Sequence, residues 1–270
     1  MAIDERGECY AVERVAVGPP SSCFTEIRSA SDDRTLSTLE GHSEILDRAE
    51  YSDDGSRIAI VSRGSAPLYV AIHDAFTGRL LQKIGPHEQA VWDVAFSPDG
   101  TLLATASEGG TAAIWDLATG KLVLMAEGHL GGTYRVAFSP DGLHFATASQ
   151  EDGTTRVWLL EPGSQRRQVA NRSIPLAREL CSLAVTDSEI QSLAFDPYGG
   201  ELVTTTLSGA VHLWSIGSMS HVATLEGDLA EHRYGALSPD GTRLATIRGN
   251  GKLEFGTGAL WDVDSGRPLA

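Results

Sequence analysis

Apolar and polar residues alternate along this chain in short runs of about five or six, cut apart by Gly, Pro, Asp and Ser. Residues 85–128 show the pattern most clearly. Val91, Val94 and Phe96 mark one run, Leu102 to Ser107 a second, Thr111 to Trp115 a third and Lys121 to Met125 a fourth. Short runs bounded by turn formers predict strands, and no sustained 3.6-residue periodicity competes with them. Between the first two runs lies Ser97-Pro98-Asp99-Gly100. Pro98 pre-sets the turn, Asp99 bonds to its backbone, and Gly100 accepts a positive φ.

The four-run unit recurs. Ala95-Phe96-Ser97-Pro98-Asp99-Gly100 returns as Ala137-Phe138-Ser139-Pro140-Asp141-Gly142 and as Ala194-Phe195-Asp196-Pro197-Tyr198-Gly199. Weaker copies end at Gly7, Gly55 and Gly241, so the six glycines are 48, 45, 42, 57 and 42 residues apart. That period is the signature of a four-stranded propeller blade, which cannot bury its apolar faces alone and must stack on neighbours. The prediction is an all-β propeller of about six blades. It forms one domain over 1–270, with repeats near 1–40, 41–84, 85–127, 128–186, 187–227 and 228–270. The chain opens inside the first strand of repeat one and stops where the last outer strand begins, so both end blades are expected to be incomplete. A six-bladed ring closing imperfectly, a seven-bladed ring lacking a blade, and a segment of a longer chain all fit; a segment or truncated relative is favoured.

The third run ends alike in several copies: Ile114-Trp115-Asp116, Val157-Trp158-Leu159, Leu213-Trp214-Ser215 and Leu260-Trp261-Asp262. Four of the five tryptophans thus share one repeat position, which predicts packing between blades rather than a ligand stack. With Gly128-His129, Ala146-Thr147-Ala148-Ser149 and Asp152-Gly153, these residues make the chain resemble the WD-repeat, β-transducin-like propellers, in wording closest to bacterial members. The resemblance implies a buried network of His129, Ser149, Asp152 and Trp158, in which His129 links Asp152 to Ser149 and Ser149 accepts from the indole. Other blades depart from the set: Gly109 stands at the Asp position of blade three, and His73 replaces the Trp of blade two.

The 57-residue step marks an insertion. It reads as an outer strand plus a long, locally basic loop carrying Arg166, Arg167, Arg172 and Arg178, with Ala177 to Leu183 as one short helix.

Composition narrows the function classes. Lys and Arg number 21 against 36 Asp and Glu, a net charge of −15. An acidic surface opposes nucleic acid and anionic membranes and suits a basic partner. No basic-then-apolar leader and no membrane-length apolar stretch is visible, and Cys9, Cys23 and Cys181 show neither ligand spacing nor an even framework. The expected setting is cytoplasmic. No phosphate loop, His-Glu-x-x-His or paired-cysteine motif occurs, so no metal or cofactor is expected. A His/Ser/Asp set also suggests a hydrolase, but these residues recur at repeat positions and no Gly-x-Ser-x-Gly elbow is present.

The expected role is a non-catalytic scaffold that docks a protein or peptide. Residues opening each inner strand should ring one mouth of the channel: Asp47 and Arg48, Trp92 and Asp93, Tyr134 and Arg135, Gln191 and Ser192, Arg233 and Tyr234. They differ from blade to blade and include the types enriched at binding hot spots. Two alternatives stand beside this: an accessory or enzyme-associated propeller of the Tol-system type, or a regulatory segment of a larger signalling protein with further blades or a signalling domain.

Overall fold

The computed structural model describes residues 2–3, 9–15, 23–39, 46–62, 68–169, 172–184, 189–208, 210–225, 232–238, 242–248, 258–263 and 267–269. Every regular element among them is a strand. Six four-stranded units follow one another. The first holds β1 (Ala2–Ile3), β2 (Cys9–Val15), β3 (Cys23–Ser29) and β4 (Thr35–Leu39). The second holds β5 (Leu46–Tyr51), β6 (Arg57–Ser62), β7 (Leu68–Asp74) and β8 (Leu80–His87). The third holds β9 (Val91–Phe96), β10 (Leu102–Ser107), β11 (Thr111–Asp116) and β12 (Lys121–Glu127). The fourth holds β13 (Thr133–Phe138), β14 (His144–Ser149), β15 (Thr154–Val169) and β16 (Arg172–Ala184). The fifth holds β17 (Ile190–Phe195), β18 (Glu201–Thr206), β19 (Val211–Ser215) and β20 (Ser220–Leu225). The sixth holds β21 (His232–Leu237), β22 (Arg243–Arg248), β23 (Gly258–Asp262) and β24 (Arg267–Pro268).

Within each unit the strands pair antiparallel in chain order, and the inner strands β1, β5, β9, β13, β17 and β21 are neighbours in that sequence. This is the β-propeller that the repeat period predicts. The end units also show four strands, with β1 and β24 two residues long among the described residues.

The core lies between blades. Val61, Val70, Ile72 and Ile84 of blade two meet Val94, Phe96, Leu103 and Trp115 of blade three. Ala104, Ala106, Ala112 and Ile114 of blade three meet Phe138, Phe145 and Trp158 of blade four. Ala146, Ala148 and Val157 then meet Leu202 and Trp214 of blade five. Blades three and four thus present alanines on the face that receives the next blade's indole, whereas blades two and five present Val, Ile and Leu there.

The Ser-Pro-Asp-Gly turns close the opposite ends of the inner strands. Ser97 Oγ donates to Asp99 Oδ1 at 2.6 Å and accepts from Leu102 N at 2.9 Å, while Thr101 N donates to Asp99 Oδ1 at 3.0 Å. Gly100 sits at φ +64°, where a side chain is strained. Arg57 Nη2 donates to Gly100 O at 2.7 Å, tying the turn of blade two to that of blade three.

The insertion departs from expectation. Residues Arg172–Ala184 are strand β16, so neither the short helix at Ala177 to Leu183 nor the long loop forms. β15 and β16 pair antiparallel from Thr154↔Ala184 out to Val169↔Arg172. Ile174 and Leu183 are both buried although they stand an odd number of positions apart, because register shifts in the β15–β16 pairing change which face the strand turns inward between them. β16 also pairs parallel with β12 at Met125↔Leu176, which joins blades three and four into one eight-stranded sheet.

Candidate interaction face and buried network

Blade four carries the full hydrogen-bonded network, with one change of membership. Trp158 Nε1 donates to Thr147 Oγ1 at 2.8 Å, and Thr147 Oγ1 lies 2.8 Å from His129 Nε2. His129 Nδ1 lies 3.0 Å from Asp152 Oδ2. For a neutral imidazole the proton placement runs Trp158 to Thr147 to His129 to Asp152, with His129 protonated on Nδ1. Ser149 is not the shared hydroxyl: its Oγ accepts only a long 3.4 Å bond from Asp152 N. Trp158 in β15 pairs with Phe145 of β14, so on that face Thr147 lies two residues along and Ser149 four, and the nearer hydroxyl takes the role.

Burial acts on both charged members. Burial alone would raise the Asp152 carboxyl, but bonds from the Thr154 hydroxyl and N–H, from Leu130 N–H and from His129 outweigh it and bring it to about 2. Burial holds His129 below its ordinary value, against the attraction of Asp152.

The Thr–Trp pair recurs where the network is incomplete. Trp115 Nε1 donates to Thr105 Oγ1 at 3.1 Å and Trp214 Nε1 to Thr204 Oγ1 at 3.0 Å. In blade two both partners change together: His73 replaces Trp and Ile60 replaces Thr, and His73 Nδ1 turns to Gly78 O at 3.1 Å. That joint substitution was the sequence signal for Thr147, and it lay in the chain's own repeats.

The inner-strand ends form two layers. The outer layer is aromatic. Trp92 opens β9 and Tyr134 opens β13, and their half-buried rings lie 5.3 Å apart at 36°. Tyr134 Oη donates to Glu151 Oε1 at 3.2 Å, and Gly132 N donates to Glu151 Oε2 at 3.1 Å. A Cβ on Gly132 would stand 2.8 Å from Tyr134 Cε2, so the entry loop closes on this ring only with glycine. Glu108 and Glu189 are exposed nearby, and Leu130 is 92% exposed. Burial together with Glu151, Glu108 and Glu189 raises the Tyr134 hydroxyl above its ordinary value.

The second layer is a set of clasps between blades. Asp93 is buried; its Oδ1 lies 2.8 Å from Arg48 Nε in blade two, and its Oδ2 accepts from Val136 N in blade four at 3.2 Å. This corrects Asp93 as a contact residue of the face, because its carboxylate is consumed inside the protein. Arg48 turns inward with it and also lies 3.6 Å from Glu50. Arg135 is likewise engaged: Nε donates to Gln191 O of blade five at 2.7 Å and Nη1 to Tyr134 O at 2.8 Å. Burial raises the Asp93 carboxyl despite Arg48 and Arg135. Glu50 stands where other repeats have Ala95, Ala137, Ala194 and Ala236. Burial, partly offset by Arg48 and reinforced by Asp93 and Asp53, pushes it up to about 7. Ser192 Oγ bonds to Thr205 Oγ1 at 2.7 Å within blade five. Asp47 lies in β5 and Arg233 and Tyr234 in β21, but their side chains fall outside the described residues. Among the described residues no three His, Cys, Asp or Glu side chains group to hold a metal.

The carboxylates of this face escaped the sequence reading because Glu108 and Glu151 sit in turns between second and third strands. Only the fold carries those turns to the inner-strand ends, where Glu108 N bonds to Ala90 O at 2.9 Å.

Residues 78–116 and 120–158 match the family model described as WD domain, G-beta repeat. Those spans run from the end of blade two through the third strand of blade four. Eukaryotic translation initiation factor 3 subunit I of Phaeosphaeria nodorum is 32% identical over 77 residues, 28% of this chain and 22% of that protein. Superkiller complex protein 8 of Dictyostelium discoideum is 36% identical over 73 residues, 27% of this chain and 24% of that protein. The match thus spans less than a quarter of either relative, and both are eukaryotic rather than bacterial.

Proposed function

We propose that this chain is a non-catalytic interaction scaffold whose six repeats act as one unit and dock a protein or peptide on the inner-strand face of blades three and four. The carrying observation is the half-exposed Trp92–Tyr134 pair, in which the Tyr134 hydroxyl is anchored on Glu151. Aromatic anchors in a rigid setting are the usual seat of binding energy, and a propeller supplies the rigid setting. The names of both relatives describe a subunit or a complex protein, which supports an assembly role. A cytoplasmic setting belongs to the same reading.

The test is affinity capture of a partner followed by two double variants. Trp92→Ala/Tyr134→Ala should lower its affinity, and Arg166→Ala/Arg167→Ala at the tip of the hairpin should not. Loss only in the second pair would move the site to the hairpin and refute the face.

A further inference from the structure

We infer that the Trp92–Tyr134 site takes a cationic side chain, an arginine or lysine carried on a peptide segment of the partner; this rests on the docking reading above. The charges that remain available decide it. Arg48 and Arg135, the described arginines on these strands, are turned onto Asp93, Gln191 O and Tyr134 O. Among the described residues, the exposed charges around the pair are the carboxylates of Glu108, Glu151 and Glu189, from blade three, blade four and the entry to blade five, while the partly exposed Arg48 is paired with Asp93 and Glu50. An acidic peptide or a phosphate would be repelled by these three carboxylates. A neutral apolar segment could cover the rings and Leu130 but would strand the carboxylates from water.

The site is also shaped for this ligand. Glu151 is held by two donors, Gly132 N and Tyr134 Oη, which fix it beside the edge of the Tyr134 ring. Gly131 leaves no room for a Cβ against the Glu151 side chain, so the loop wraps this carboxylate and is built around it. A guanidinium or ammonium resting over the Tyr134 or Trp92 face gains from the ring quadrupole while Glu151 supplies the ion pair. The net charge of −15 speeds its approach at low salt.

Calorimetric titration with three capped hexapeptides tests this: Gly-Arg-Gly-Gly-Arg-Gly, its lysine counterpart and its citrulline counterpart. The arginine and lysine peptides should bind, and the citrulline peptide should bind at least about tenfold more weakly. Trp92→Leu and Glu151→Gln should each lower arginine-peptide affinity about tenfold, the scale of one cation–π or ion-pair contact. Glu161→Gln removes the same charge from an exposed position on the hairpin and should leave affinity unchanged. Equal weakening by Glu151→Gln and Glu161→Gln would reduce the effect to bulk attraction and overturn the inference. So would equal binding of the arginine and citrulline peptides. Failure of all three peptides, while a captured partner still depends on Trp92 and Tyr134, would sink the cationic ligand and leave the docking face standing. Partner binding that ignores Trp92 and Tyr134 would sink both.

Discussion

Replacing Thr147 by Val tests the buried network at the point where the chain's own repeats and its family resemblance disagree. Thr and Val have nearly the same shape, so the change removes one hydroxyl and leaves the packing of Ala146, Ala148 and Trp158 intact. That hydroxyl serves two partners: it accepts from Trp158 Nε1 and donates to His129 Nε2, both at 2.8 Å. Trp158 is 2% exposed and the His129 side chain likewise, so water cannot take over either role. Each stranded buried group costs roughly 1–3 kcal/mol, so two of them give Thr147→Val a loss of about 2–6 kcal/mol. Ser149→Ala loses only the 3.4 Å acceptor of Asp152 N and should cost less than about 1 kcal/mol. Urea unfolding read by fluorescence and circular dichroism compares the two through midpoints at constant slope. Thr147→Ser, which keeps the hydroxyl, should recover most of the loss. A Ser149→Ala midpoint as low as that of Thr147→Val would restore Ser149 to the relay and refute the proton path drawn above.

Trp158→Ala should cost about 3–5 kcal/mol and destabilise more than Trp92→Ala, because Trp92 is half-exposed on the face; equal urea midpoints would contradict that placement. Burial holds His87 at about 4, whereas the unfolded chain protonates near 6.5. Below about 6.5 the unfolded state therefore binds more protons, and stability should fall from there down to about pH 4. His87→Phe should flatten that segment of the pH profile, and an unchanged slope would locate the titrating group elsewhere. Arg135→Ala removes charge-assisted bonds to Gln191 O and Tyr134 O and should cost roughly 1.5–3 kcal/mol while loosening the backbone that carries the Tyr134 ring. Near-ultraviolet circular dichroism of the aromatic pair should weaken with it, and an unaltered spectrum would show that the ring is held by other contacts.

The blades were legible because one repeat position carries one demand. Trp115, Trp158, Trp214 and Trp261 all fill the space against the preceding blade, and the described turn glycines Gly55, Gly100, Gly142 and Gly199 share one positive-φ geometry. Where a position differs between repeats, that logic gives no direction. Asp93 and Arg135 look like surface residues at the start of a strand, and only the lateral distance between neighbouring inner strands turns them inward. The β16 strand was missed for a related reason: its pairing partners lie in the extension of β15 and in β12 of another blade, and neither is implied by a period counted along the chain. Thr147 differs from both, since the joint change to His73 and Ile60 in blade two records which hydroxyl the indole uses.

The bridge from β16 to β12 changes how this propeller should come apart. In an array of repeats, each unit opens with a free energy set by itself and its two neighbours, and opening can begin anywhere. Blades three and four cannot behave as two such units, because the last strand of the later blade is stitched to the last strand of the earlier one. Opening either exposes Leu124, Ala126, Phe145 and Trp158, which belong to both. They should exchange their amide hydrogens as a single slow block while the flanking blades exchange piecemeal. A binding face mounted on that block then stays assembled through excursions that disturb the rest of the ring, so a bound partner has little to gain from local melting elsewhere.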